Sequence, residues 1–437
     1  MIEELKSYES YKATDLPWAR RLPSHWTAKR GKSVLAESML PTADGQEVVT
    51  CFRDGQVTLR RNRRMGGFMV ALYEQGYQGV RKGQLVVHAM DAFAGAIGIS
   101  DSDGKCTPEY VVCNARGPSV HLPYVAQALR VAARDGFILA SCPSVRERAP
   151  RFRWANLGDF LVPLPPPEEQ AAIVRFLDYA NRRIDQFIRS KKKLIALLNE
   201  QKQAIIHRAV TRGLDPNVKL KNSGVPWLGE VPAHWELRRL KYATSLQRGY
   251  DLPSDLRVAG PYPVVSSGGL IDTHHEFRAE GPGVVLGRYG STEAVFYVET
   301  NFWPHNTSLF VTNFHGNSPR WAYYLLRSIS KGAHSGKSAV PGVDRKDLHE
   351  IVVPVPPTWE QEKISGLLPV MVADVEASLR TLEREIELGR EYRTRLVADV
   401  VTGQFDVCAA AASLPDFPDT APAEPKSDID IDDNEAA

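Results

Sequence analysis

The sequence predicts a mixed α+β (α/β) protein: two variable domains of short strands and helices, separated by two long helices that pair as an antiparallel coiled coil in a pseudo-two-fold arrangement. Three observations predict it: a duplicated Trp/His-Trp motif, a duplicated Pro-Pro motif, and a long proline-free apolar seam after the first Pro-Pro motif. The boundaries follow the repeats: variable domain 1–160, spacer helix 161–213, variable domain 214–350, spacer helix 351–405, and an acidic tail 406–437.

Trp18-Ala-Arg-Arg-Leu-Pro-Ser-His-Trp26 returns as Trp227-Leu-Gly-Glu-Val-Pro-Ala-His-Trp235. Tryptophan is rare, and a shared spacing of two tryptophans around Pro-small-His marks an internal duplication. Phe160-Leu-Val-Pro-Leu-Pro-Pro-Pro-Glu-Glu-Gln170 likewise matches Ile351-Val-Val-Pro-Val-Pro-Pro-Thr-Trp-Glu-Gln361, and the same offset carries Val210-Thr211 onto Val401-Thr402. A segment without insertions between its copies behaves as a rigid spacer. The stretches between the His-Trp and Pro-Pro motifs differ in length and show little resemblance to each other.

Each Pro-Pro motif reads as a helix start, because proline suits the first turn and acids suit the positive end of the dipole. In the first helix the apolar positions Ile173, Leu177, Ala180, Ile184, Phe187, Leu194, Leu198 and Ile205 follow alternating steps of four and three, broken only at Lys191 and Gln201, as a coiled-coil seam does. The second repeats the pattern at Ile364, Leu368, Met371 and Val375, then shifts by one to Leu379, Leu382 and Ile386, as a stutter would. Pro369 and Gly389 make it the less regular of the two.

Gly83-Gln-Leu-Val-Val-His, Tyr110-Val-Val-Cys, Gly283-Val-Val-Leu-Gly and Ala294-Val-Phe-Tyr-Val read as strands, each domain then carrying one helix, near 124–134 and 321–330. Basic and polar residues cluster in loops: Arg60, Arg61, Arg63 and Arg64, then Arg146, Arg148, Arg151 and Arg153. The second domain has Arg288, Tyr289, His305, Asn306, Lys337 and Ser338. Arginine forks suit guanine edges and phosphates, and asparagine suits adenine. For each residue taken singly, a solvated charged loop is the alternative reading.

Composition bounds the class. The net charge of +2 conceals a tail, from Cys408 on, of eight acids against Lys426, which leaves a moderately basic body. Rich in Ala, Pro and Asp, that tail is expected to be disordered. Five cysteines without a CxxC pair are expected to be reduced and mostly buried. With no apolar run long enough to span a bilayer and a polar N-terminus, a cytoplasmic location is expected. No methyltransferase tetrad, glycine-rich cofactor loop or nucleophile triad is present. Gly332-Ala-His-Ser-Gly336-Lys337-Ser338 is one residue short of a phosphate-binding loop, and Pro418-Asp419 with Glu424-Pro-Lys426 lies in the tail, where carboxylates have no rigid strand beneath them. No catalytic, cofactor-binding or metal-ligating residue is therefore assigned to this chain.

The order variable–constant–variable–constant resembles the specificity subunits of Type I restriction–modification systems. The resemblance rests on Pro-Pro-x-Glu-Gln opening each constant helix, Val-Thr-Gly403 closing the second, and Ser223-Gly-Val-Pro-Trp-Leu-Gly-Glu-Val-Pro-Ala-His-Trp235. It implies a non-catalytic subunit whose two target-recognition domains each read one half of a bipartite, asymmetric site in double-stranded DNA. The helices would fix the unread gap and dock two methyltransferase subunits. S-adenosylmethionine would be bound by those partners, and ATP and Mg2+ by two restriction/translocase subunits in systems that have them. An autonomous enzyme such as a solitary nuclease, a protein-binding coiled-coil scaffold and a non-modifying DNA-binding decoy are the competing readings.

Overall fold

The computed structural model describes residues 5–63, 75–142, 151–288, 294–329 and 344–415. The chain divides into two compact units: unit 1 comprises Met1–Arg189 and Ile386–Ala437, unit 2 Ser190–Glu385. The first long helix, Pro167–Arg212, and the second, Thr358–Val401, each begin in one unit and end in the other. Every unit thus holds the start of one long helix and the end of the other.

Within unit 1, a four-stranded antiparallel sheet has the order Leu35–Glu37, Tyr110–Ala115, Leu85–His88, Ile97–Ile99. Unit 2 has a sheet of the same connectivity, in the order Ser245–Arg248, Ser308–Asn313, Gly283–Gly287, Val295–Val298. The strands of the two sheets show little sequence similarity, yet they are buried for the same reason. Leu85, Val87, Val111 and Cys113 turn one face to a helix, as do Val284, Leu286, Leu309 and Val311. Those helices are Leu122–Arg134 and Pro319–Ser328, each with proline in its first turn. The domains that look unrelated in sequence are therefore one fold repeated. They differ in the excursion between the first and second sheet strands in sequence, which forms the hairpin Val49–Cys51/Val57–Leu59 in unit 1 and the hairpin Tyr262–Ser266/Gly269–His274 in unit 2.

The duplicated motifs meet in space. In unit 1 Glu169, in the first turn of its helix, accepts from the indole Nε1 of Trp26 at 2.8 Å and lies 2.7 Å from His25 Nε2. In unit 2 Glu360 accepts from Trp235 Nε1 at 2.8 Å and lies 2.9 Å from His234 Nε2. The neighbouring glutamines are buried and satisfied in the same way. Gln170 Oε1 accepts from the His121 amide at 2.8 Å, and Gln361 Oε1 from the Ser318 amide at 2.9 Å, each the residue that caps the domain's helix. Their amide groups donate to Pro165 O and Pro356 O, at 2.8 and 2.9 Å. An unpaired polar group here would cost a large part of its hydration energy, so the Glu-Gln pair is a complete hydrogen-bonding device.

The end of the other long helix closes each clamp. Gly403, at φ 71°, sits where a Cβ would come within 2.5 Å of Pro23 and 3.2 Å of Trp26. Gly213, at φ 74°, would meet Trp235 at 3.3 Å. Val-Thr-Gly and Val-Thr-Arg-Gly thus do the same job, since both place a left-handed glycine against the tryptophan face.

Within each unit the long helices pack along their apolar faces. Ile173, Phe176, Leu177 and Ala180 share a core with Leu396, Val397, Val400 and Val401 in unit 1; Ile206, Ala209 and Val210 share one with Ile364, Leu368 and Val372 in unit 2. In unit 2 Lys191 pairs with Glu385 at 2.8 Å and Lys202 with Glu376, so residues ascending one helix meet residues descending the other. The expected antiparallel pairing is what each unit contains. Ile184, Val375, Leu382 and Ile386 are buried as the seam predicts.

Two corrections apply to that seam. Leu194 is 42% exposed and Met371 47%, while Ile195 and Leu198 are half-buried and Val372 is buried. Beyond Ile184 both Phe187 and Ile188 lie against Gly389 of the second helix, and the inward face then continues through Ile195, which turns Leu194 outward. The second helix also runs through Pro369 as one element, with the proline facing solvent. The tail needs a third correction: Asp406 bridges to Lys6, Val407 and Ala411 are buried, and Cys408–Ser413 is a helix. Residues 406–415 therefore belong to the folded part of unit 1, and residues 416–437 lie outside the described residues.

Candidate nucleic-acid interface

In unit 1 the strand Val57–Leu59 runs into a tight turn, Arg60–Asn62, pinned by the Arg60 amide donating to Val48 O and by Asn62 Nδ2 donating to the buried Thr58 hydroxyl. This turn presents the basic cluster, but its members are not equivalent. Arg61 is 64% exposed and pairs with Glu47 at 2.9 Å, a contact that solvent weakens. Arg60 is half-buried and donates to Thr50 Oγ1. Arg63 is only 15% exposed, bonded to Asp54 at 2.8 Å and lying 4.2 Å over the Phe52 ring. Its guanidinium is committed to holding the loop, so Arg60 and Arg61 carry the basic character of this turn outward. Arg151 pairs with Glu109 at 3.0 Å beside the buried Phe152; Arg153 is exposed.

In unit 2 the chain brings Arg288, His305 and Asn306 to one end of the two central strands of the sheet. The Arg288 amide donates to Thr307 O, His305 Nδ1 lies 3.1 Å from Thr307 Oγ1, and Asn306 bonds Asp251. Burial, with Arg257 nearby, holds the His305 imidazole below its usual pKa and so favours its neutral form. Three polar residues next to them, Arg248, Tyr250 and Asp251, were not singled out from sequence. The signal available was a glycine, Gly249, inside the run Arg-Gly-Tyr-Asp. Arg64, Arg146, Arg148, Tyr289, Lys337 and Ser338 lie outside the described residues.

Among the described residues, no group of three or more His, Cys, Asp or Glu side chains is placed to hold a metal ion, and no helix is long and apolar enough to cross a membrane. Cys51, Cys106, Cys113 and Cys142 are buried and Cys408 half-buried, all as free thiols. Burial pushes Cys106 and Cys113 up to about 12, and Cys51 further. At pH 8 the native protein is therefore expected to leave these three unmodified by iodoacetamide under conditions that alkylate the unfolded chain fully, as peptide mass spectrometry would report. Rapid native labelling of Cys106 or Cys113 would contradict the packing of that core.

Residues 232–388 match the family model described as the Type I restriction modification DNA specificity domain. The matched stretch contains the His234-Trp235 motif, the second sheet and most of the second long helix. The chain is 33% identical over 88 residues to the Type I restriction enzyme MjaVIII specificity subunit of Methanocaldococcus jannaschii, covering 20% of this chain and 19% of that protein. It is 20% identical over 291 residues to the Type I restriction enzyme EcoDI specificity subunit of Escherichia coli, covering 59% of this chain and 64% of that one. The matches thus span less than two thirds of the length of these relatives. A chain solved in work on complex assembly and conformational transition of the type I R-M system aligns with a TM-score of 0.61 at 16% identity, over 87% of this chain and 98% of its own. That likeness establishes a shared fold.

Proposed function

We propose that the chain is the non-catalytic, sequence-reading subunit of a Type I restriction–modification complex, like the specificity subunits it resembles. Unit 1 and unit 2 would each read one half of a bipartite site in double-stranded DNA, in the cytoplasm. The observation that carries this reading is one fold built twice on the same pair of long helices, with a different hairpin excursion between corresponding strands. Equal scaffolds with unequal excursions suit two unequal half-sites.

The division of labour is chemical. Arg60 and Arg61 in unit 1, and Arg288, His305 and Asn306 in unit 2, supply donors for phosphates and base edges. Methylation of a base needs a cofactor pocket and a flipped-out nucleotide, which two partner methyltransferase subunits would provide with S-adenosylmethionine. Restriction subunits, in a complex that contains them, would bring ATP and Mg2+. The exposed apolar side chains of the long helices, among them Leu194, Leu197, Val370 and Met371, are surfaces on which such partners would dock.

Co-expression with the candidate methyltransferase subunit, followed by genome-wide mapping of N6-methyladenine, tests the reading. The expected result is a split motif with a fixed gap that disappears when this chain is omitted. A stable complex that adds no methylation would exclude a working specificity subunit.

A further inference from the structure

In unit 2 the end of strand Ser245–Arg248 is locked against the segment that leads into Ser308–Asn313. The Gly249 amide donates to Ser308 O at 3.0 Å, the Tyr250 amide to Pro304 O at 2.8 Å, and the His305 amide to Val265 O at 2.8 Å. A Cβ at position 249 would lie 2.2 Å from the His305 carbonyl oxygen, so only glycine allows the two segments this close. Between them and the start of helix Arg345–Glu350 opens a cleft of about 450 Å³, lined by Arg248, Tyr250, Asp251, Arg288, Asp344 and Arg345.

One wall holds an arginine and a carboxylate side by side. Arg248 Nε donates to Asn306 O at 3.3 Å, and its Nη2 lies 3.6 Å from Asp251 Oδ1. The Asn306 side-chain amide donates to the same Asp251 oxygen and so holds the carboxylate. Both charged side chains stay open to solvent, at 54% and 70% exposure. An exposed ion pair contributes little to stability, so the fold alone does not explain this arrangement on so rigid a frame. A surface that only gripped phosphates would also be weakened by a carboxylate among its arginines, because like charges repel.

A base edge has use for both groups. In the major groove guanine offers two acceptors, O6 and N7, and its paired cytosine offers the N4 donor beside that O6. An arginine fork and a carboxylate in contact complement this edge, donor against acceptor and acceptor against donor. We propose that Arg248 and Asp251 together read one G·C pair of the half-site bound by unit 2, Arg248 donating to guanine and Asp251 accepting from cytosine N4. Asn306 is the positioning residue that holds Asp251 in place. The inference rests on the DNA-reading role proposed above and deepens it to one base pair.

The test is the methylation motif written by the assembled complex with Arg248→Ala, Asp251→Ala or Asp251→Asn in this chain. Both alanine variants are expected to relax the same single G·C position, by about ten- to a hundredfold in preference over other pairs, leaving the gap and the other half-site unchanged. Asp251→Asn keeps the size and the bond from Asn306 but weakens the acceptor, so it relaxes that position too even where an alanine variant fails to assemble. An unchanged motif in assembled complexes, or relaxation at different positions for Arg248 and Asp251, would overturn the pairing and leave a plain surface ion pair. A wild-type complex that writes no bipartite motif would instead overturn the DNA-reading role, and this assignment with it.

Discussion

Trp235→Ala is expected to destabilise unit 2 by about 3–5 kcal/mol, and Trp26→Ala to do the same to unit 1. Each indole is buried between the start of one long helix and the glycine that ends the other. Truncation would empty the largest side chain of each clamp and strand the glutamate that the indole and the histidine engage. Glu360→Ala addresses the polar half: it leaves the Trp235 indole N–H buried without its acceptor, a loss of about 2–3 kcal/mol. Glu360→Gln, which keeps an acceptor oxygen, should cost less than half of that. Because a chain of two units need not unfold in one step, the measurement is hydrogen exchange resolved by peptide. Protection is expected to fall in peptides of unit 2 for the Trp235 and Glu360 variants, and in unit 1 for Trp26→Ala. Wild-type exchange in Trp235→Ala would mean that the motif is retained for some purpose other than anchoring the domain.

Lengthening the helices is expected to change the unread gap of the DNA site without changing what either half reads. The ion pairs Lys191–Glu385 and Lys202–Glu376 bind the two helices laterally within unit 2, so an insertion in one helix alone would shear them. A matched insertion of seven residues after Ser190 and after Glu385 leaves both ion pairs in unit 2 and keeps the inward faces nearly in phase, since seven residues fall about 20° short of two turns. It adds about 10 Å of helix, close to three base-pair steps. The expected methylation motif keeps both half-sites and widens its gap by about three base pairs. An unchanged gap in an assembled, active complex would remove the helices as the ruler.

How far the sequence carried can be judged from particular residues. His25-Trp26 and Glu169-Gln170 were legible as repeats because tryptophan pairs and Pro-Pro-x-Glu-Gln are improbable strings, yet nothing local says that they bond across 143 positions. The seam was legible up to Ile184 and then ambiguous: Phe187 and Ile188, or Leu194 and Ile195, are adjacent apolar residues, and a run of threes and fours can follow either. Packing within each unit keeps both Phe187 and Ile188 against Gly389 and selects Ile195 over Leu194. Among the arginines, Arg61 and Arg63 look alike in sequence; Asp54 and Phe52 turn Arg63 into a structural element. Asn306 was legible as a candidate, but its partners Arg248 and Asp251 were missed because they lie in a segment more than fifty residues away.

By itself the sequence determined the repeat, the long helices and their apolar faces, the two variable domains and the absence of a catalytic motif, since periodicity, rare-residue spacing and helix-start chemistry are local properties of the chain. Only the tertiary structure decided that the variable domains share one sheet topology, and that the start of each long helix is clamped by the end of the other. It also decided which basic side chains are committed to holding a loop, as Arg63 is. The reason is physical: strand pairing and hydrogen-bond satisfaction depend on which groups the fold brings within about 3 Å of one another, a condition that residues far apart in the chain meet only after folding.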